Sequence, residues 1–229
     1  RLSIEDGDTR IDRTILGAGT RVLTQEIPAT KSAGVSLWVP VGSRDEGPRT
    51  AGSTHFLEHL LFKGTNKRSA LDIAVAFDSV GGESNAETAR EHTAYWARVR
   101  DADLDMAIET LTDMVTDSRL DEEDFSMERG VILDELAMGE DSPTDTVHDT
   151  FQLAVHGDRP IGRPVGGTAQ AIREVERADV WEHYQAHYGP SSLIVAAAGN
   201  VDHDSVCERV QAALEGSPWD AGSVASPRP

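Results

Sequence analysis

Two histidines four positions apart, with a glutamate beside the second, form the segment His55-Phe56-Leu57-Glu58-His59. In a helix, positions i and i+4 share a face, so both imidazoles can reach one cation. Imidazole nitrogens are good zinc ligands, and Glu58 projects from nearly the same face. From there a carboxylate can take a proton from a metal-activated water without itself binding the metal. The order H-x-x-E-H inverts the more common H-E-x-x-H of zinc hydrolases. A catalytic zinc takes three protein ligands and keeps one position open, so a third donor must come from elsewhere in the chain.

The only cysteine is Cys207, which rules out an internal disulfide and a Cys-rich zinc site. The third donor is therefore a histidine or a carboxylate, and composition does not choose among the many carboxylates. The best segment is 128–135, where Glu128 and Glu135 lie seven apart, two helical turns, on one face with Ile132. Carboxylates on a partly buried helical face need a partner, and a metal or a ligand histidine would be one. His183 and His187 also have i, i+4 spacing, but they lack an interposed glutamate and read as structural histidines.

The elements that must position these residues follow from pattern. Residues 21–27 and 35–41 read as strands, and about 51–62 as the helix bearing the histidines. Ser69 caps a helix that runs to position 80 and stops at Gly81-Gly82. Residues 83–88 and 92–99 read as a strand pair, with Thr93, Tyr95 and Val99 on one face. Helical periodicity follows over 103–116, 121–138, 144–155 and 177–188. A short apolar strand occupies 193–198, and Asp202 caps a last helix to 214. The first thirteen residues are polar and charged, and no element is assigned there. Adjacent strand pairs separated by blocks of helices predict an α+β domain with a mainly antiparallel sheet. The domain is expected over 1–215, with a Gly/Ser/Pro-rich, linker-like tail over 216–229.

The 229 residues carry 21 Lys and Arg against 40 Asp and Glu, a net charge of -19. Nucleic acid is disfavoured as a partner, because a polyanion would be repelled. No apolar run is long enough for a membrane-spanning helix, and the N-terminal stretch has no signal-peptide core. The expectation is a soluble, cytoplasmic protein of bacterial type.

The segment from His55 to Thr65, HFLEHLLFKGT, resembles the signature of the pitrilysin/insulinase-type metallopeptidases, the inverzincins, and most closely their mitochondrial-processing-peptidase-like branch. The likeness continues through 81–88, 91–95, 128–135, 162–168 and 198–202, in order, over about 14–214. It implies that His55, His59 and Glu135 bind one zinc ion per chain, with Glu58 as general base. Glu135 follows His59 by 76 positions, close to the family's spacing. Glu128 matches the family's further carboxylate, which orients a ligand. Asn85, Ala86, Glu87 and Thr88 match an edge strand to which a peptide substrate adds as an extra strand. Glu87 departs from the pattern, which often has an aromatic near this point. The resemblance implies a zinc-dependent endopeptidase acting on peptides or targeting segments. It also implies a second homologous half, supplied by the same chain or by a homodimeric or heterodimeric subunit. The alternative is a non-catalytic scaffold of the same fold, as some relatives are.

Overall fold

The computed structural model describes residues 1–219. Among them, seven strands form one sheet in the order β1-β2-β3-β7-β4-β6-β5. The strands are β1 (Leu2–Asp6), β2 (Thr9–Ile15), β3 (Arg21–Glu26), β4 (Ser32–Val39), β5 (Glu83–Thr88), β6 (Thr93–Arg100) and β7 (Ile194–Gly199). All neighbours run antiparallel except β3 and β7, which are parallel. The eight helices are α1 (Ser53–Leu60), α2 (Ala70–Asp78), α3 (Leu104–Asp117), α4 (Glu122–Glu140), α5 (Pro143–His156), α6 (Ala169–Glu174), α7 (Arg177–His187) and α8 (His203–Glu215). The fold is α+β.

Alternation along the strands decides which face is buried. On β4, Ala33, Val35, Leu37 and Val39 are buried, as are Thr93, Tyr95, Ala97 and Val99 on β6. These side chains meet Ile108, Leu111 and Val115 of α3 and Phe56, Leu57 and Leu60 of α1 in one hydrophobic core. Period-2 and period-3.6 stripes thus close on each other, which is the condition for one sheet to bury its helices on one side.

Two stretches differ from the sequence expectation. The polar N-terminal segment forms the β1–β2 hairpin, with Ile4 opposite Ile11 and a turn through Gly7, whose φ is +59°. Its apolar residues are sparse and all exposed (Leu2 58%, Ile4 63%, Ile11 37%, Ile15 59%), so burial left no clear periodic signal. The short α6 lies between expected elements; Thr168 caps it by accepting from Ala171 N–H. Residues 220–229 of the expected linker lie outside the described residues. Just before them, Trp219 packs against the core and its indole N–H donates to Tyr184 (3.4 Å).

Among the described residues, β5 ends the sheet and pairs only with β6. Helix α1 lies between the β5–β6 end of the sheet and the helices α4 and α7. The edge strand and the histidine-bearing helix are therefore neighbours.

Candidate metal centre

Helix α1 has two distinct faces. Ser53, Thr54, Phe56, Leu57 and Leu60 are buried, whereas His55, Glu58 and His59 are half-buried on the other side. The N-terminus of α1 is fixed by a residue outside it. Gly52 caps the helix with φ +89° and has no side chain to offer; a Cβ there would meet Ile172 Cδ1 at 2.4 Å. The buried Glu46 carboxylate fills the role instead, accepting from Gly52 N–H (2.7 Å) and Thr54 N–H (2.8 Å). A carboxylate at a helix N-terminus is favoured by the dipole and by the unpaired amides. Burial nevertheless pushes the Glu46 carboxyl up to about 7, against those two hydrogen bonds.

Helix α4 crosses α1 with Phe125, Glu128 and Ile132 buried. Phe125 stacks on Phe56 at 4.6 Å, and the Arg129 guanidinium lies over both rings. Arg129 also donates to the Ile172 carbonyl and to Val175 O (2.9 Å), tying α4 to the end of α6. One turn beyond Ile132, Glu135 emerges at the open end of the same stripe, with 46% of its side chain exposed.

The donor atoms converge there. His55 Nε2 and His59 Nε2 are 3.2 Å apart, and Glu135 Oε2 stands 3.5 Å from the first and 3.4 Å from the second. Among the described residues, this is the one group of three or more His, Cys, Asp or Glu placed to hold a metal. Tetrahedral zinc with bonds of about 2.0–2.1 Å separates its ligand atoms by about 3.3 Å. The triangle fits that cation without rearrangement.

Each histidine is oriented from behind. His59 Nδ1 donates to Glu128 Oε2 (2.9 Å), which leaves Nε2 facing the triangle. Glu128 also accepts from Lys63 Nζ (2.7 Å). Burial acts to raise the Glu128 carboxyl, but the hydrogen bonds from Lys63 and His59 prevail and hold it below the usual carboxylate range. His55 Nδ1 is buried and turns toward the Gly166 backbone, too loosely for a full hydrogen bond. Burial, and then the charge of His59, push the His55 imidazole toward the neutral form, which is the form that binds metal.

A cleft of about 300 Å³ opens over these atoms, lined by the three donors together with Glu58, Phe62, Lys63, Asn85 and Glu128. Glu58 and Asn85 therefore face the same space as the donor triangle. On β5, Asn85 and Glu87 are exposed, Thr88 is half-buried, and Ala86 points into the core. Asn85 reaches the cleft; Ala86, Glu87 and Thr88 do not line it. His183 is buried and accepts or donates at Thr54 Oγ1 (3.2 Å), supporting α1 from α7. Burial, with His187 nearby, pushes it down to about 3, so it is a neutral core histidine.

Sequence reasoning assigned no role to Glu46, Lys63 or Gly166. The signal available for Glu46 was the bare Gly52 before the helix, which requires a cap from elsewhere. Lys63, four residues after His59, lies one turn further along the same side, where a buried carboxylate needs a cation. Gly166 falls in the 162–168 stretch of family likeness, but its role was not readable, because it is set by an approach across the fold.

Two imidazoles and one carboxylate converging beside an open cleft have the donor number and types that a catalytic zinc site uses. Residues 21–169 match the model of the insulinase family, peptidase family M16. The chain is 52% identical over 213 residues to an uncharacterized zinc protease of Streptomyces coelicolor, covering 93% of this chain and 46% of that protein. It is 36% identical to a probable mitochondrial-processing peptidase subunit beta of Arabidopsis thaliana, over 89% of this chain and 38% of that protein. The crystal structure of a protease from Helicobacter pylori superposes with a TM-score of 0.88 at 25% identity, covering 95% of this chain and 52% of that one. The chain belongs to the insulinase, or M16, peptidase family. It spans about half the length of the bacterial relatives it matches.

Proposed function

We propose that this chain is the zinc-carrying half of a zinc-dependent endopeptidase that hydrolyses peptides held as an added strand on β5. The single observation that carries the reading is the donor triangle of His55, His59 and Glu135, with edges of 3.2, 3.4 and 3.5 Å. A zinc ion in such a site polarises a carbonyl and brings the pKa of water toward about 7. Glu58, in the same cleft, takes a proton from the attacking water and passes it to the leaving amine. Glu128 keeps His59 in the tautomer whose Nε2 faces the triangle. The free edge of β5, over the stretch Asn85, Ala86, Glu87 and Thr88, offers main-chain hydrogen bonds to an extended peptide through its outward-turned residues, and side-chain positions along it give selectivity.

Two features support a companion half. Relatives are about twice as long as this chain. Helix α5 leaves Val147, Phe151 and Val155, four apart on one stripe, 57–61% exposed. The companion is a second homologous domain or subunit that closes the cleft over the peptide. A non-catalytic scaffold has no need of Glu58 or of three converging donors, and their joint presence favours the enzyme.

The test combines metal and activity. Zinc binds at about one equivalent per chain, and the zinc-loaded protein, assembled with its companion half, cleaves a quenched peptide in a chelator-sensitive way. Glu58→Gln keeps the zinc and loses cleavage by about a hundredfold or more. Cleavage by Glu58→Gln at the native rate, or failure of the folded protein to bind zinc, overturns the proposal.

A further inference from the structure

The β5–β6 hairpin determines which β5 amides face outward. At its turn, Ala89 N–H donates to the His92 carbonyl (2.8 Å), so Ala89 points toward the partner strand. The ladder then runs from Thr88 opposite Thr93 to Glu83 opposite Arg98. In an antiparallel pair, successive residues turn their N–H and C=O alternately toward and away from the neighbour. Glu87, Asn85 and Glu83 therefore bond to β6, as Ala89 does. Thr88, Ala86 and Ser84 direct their backbone groups to the free edge. Ala86 is thus the central donor of the edge that runs beside the metal cleft, but it is already engaged. Its N–H donates to Oδ1 of Asn85, the preceding residue, at 2.8 Å. Asn85 is also the β5 residue that lines the cleft.

We propose that Asn85 guards this edge: its carboxamide occupies the Ala86 amide in the free enzyme and must be displaced by a carbonyl of the incoming peptide strand. The inference rests on the strand-addition reading above. A bare row of outward N–H groups would pair with any extended chain, including another copy of the protein. An acceptor carried on the strand itself answers that hazard without blocking the edge sterically. At Ala86 the peptide exchanges one hydrogen bond for another, so this position adds little affinity. Discrimination then falls to peptides that complete the ladder at Ser84 and Thr88. Asn85 is a positioning and selectivity residue, with no part in proton transfer.

The experiment uses the zinc-loaded enzyme with its companion half, in a Glu58→Gln background, and a fluorescent peptide that the wild-type enzyme cleaves. Asn85 is replaced by Leu, which has similar bulk and no acceptor, and by Asp, which keeps one. Residue-resolved amide exchange in the free enzyme shows Ala86 slower than Ser84 and Thr88; Asn85→Leu abolishes the difference and Asn85→Asp preserves it. Freeing one neutral hydrogen bond lowers the peptide Kd of Asn85→Leu by about fivefold, whereas Asn85→Asp shows no tightening. Equal exchange at the three amides, or an Asn85→Leu affinity equal to or weaker than that of the parent, overturns the guard. If bound peptide protects none of the three amides, the strand-addition reading itself falls, and the guard falls with it.

Discussion

Replacing Glu128 by alanine tests how much of the metal centre depends on a residue that does not touch the metal. Glu128 is 4% exposed and holds two donors at once, His59 Nδ1 at 2.9 Å and Lys63 Nζ at 2.7 Å. Truncation leaves the His59 ring without the acceptor that fixes its tautomer. It also leaves the Lys63 ammonium beside a cation site with no counter-charge. Loss of such an orienting carboxylate typically costs about 10–100-fold in metal affinity, or about 1.4–2.8 kcal/mol. The Lys63 side chain is 35% exposed and can turn to water, which keeps the expected loss inside that range. Competition against a fluorescent zinc chelator at neutral pH measures the affinity, with urea unfolding in parallel to separate metal binding from global stability. Glu128→Gln retains an acceptor and falls between the alanine variant and the wild type. Lys63→Met in the Glu128→Ala background recovers part of the loss, because the unpaired cation is removed. An affinity for Glu128→Ala within twofold of the native value refutes the reasoning, since neither the tautomer nor the charge would then matter.

Glu46→Ala strands two buried amides at the start of α1, and each unsatisfied group costs about 1–3 kcal/mol in chemical denaturation. The cost depends on pH. Because the folded-state pKa is raised to about 7 from 4.5, the stability Glu46 adds is complete below 4.5 and falls as pH rises through 7. The destabilisation by Glu46→Ala is therefore larger at pH 5 than at pH 8, by about 2–3 kcal/mol; a difference of the opposite sign refutes this. Gly166→Ala places a Cβ 2.9 Å from Leu136 Cδ2 and 3.3 Å from His55 Nδ1, so it shifts the His55 ring. Zinc titration of that variant shows weakened binding, about tenfold, while its unfolding midpoint changes little; native zinc affinity would show that His55 tolerates the approach.

Local features were legible in the sequence because their physics is local. The i, i+4 spacing of His55 and His59, the Ser69 cap, the Gly81-Gly82 stop and the alternation at 93–99 each act within a turn or a strand, and each element appears where its pattern lies. The β1–β2 hairpin was not legible, because Leu2 and Ile4 remain exposed and give no buried stripe to detect. The shared face of Glu128 and Glu135 could be read from helical period alone, and the family resemblance singled out Glu135 from the other carboxylates.

By itself, the sequence determined that a pair of imidazoles and a glutamate share one helical face, and that the strands come in pairs between helix blocks. Tertiary structure decided the rest. Only the crossing of α4 over α1 brings Glu135 to 3.5 Å from His55 and sets Glu128 against His59. Only the sheet order leaves β5 at the edge beside the cleft, with Ala86 turned outward and bonded to Asn85. Helical and strand periods fix which residues share a face. Which faces meet depends on contacts between residues far apart in the chain, and those are set by burial of the whole core.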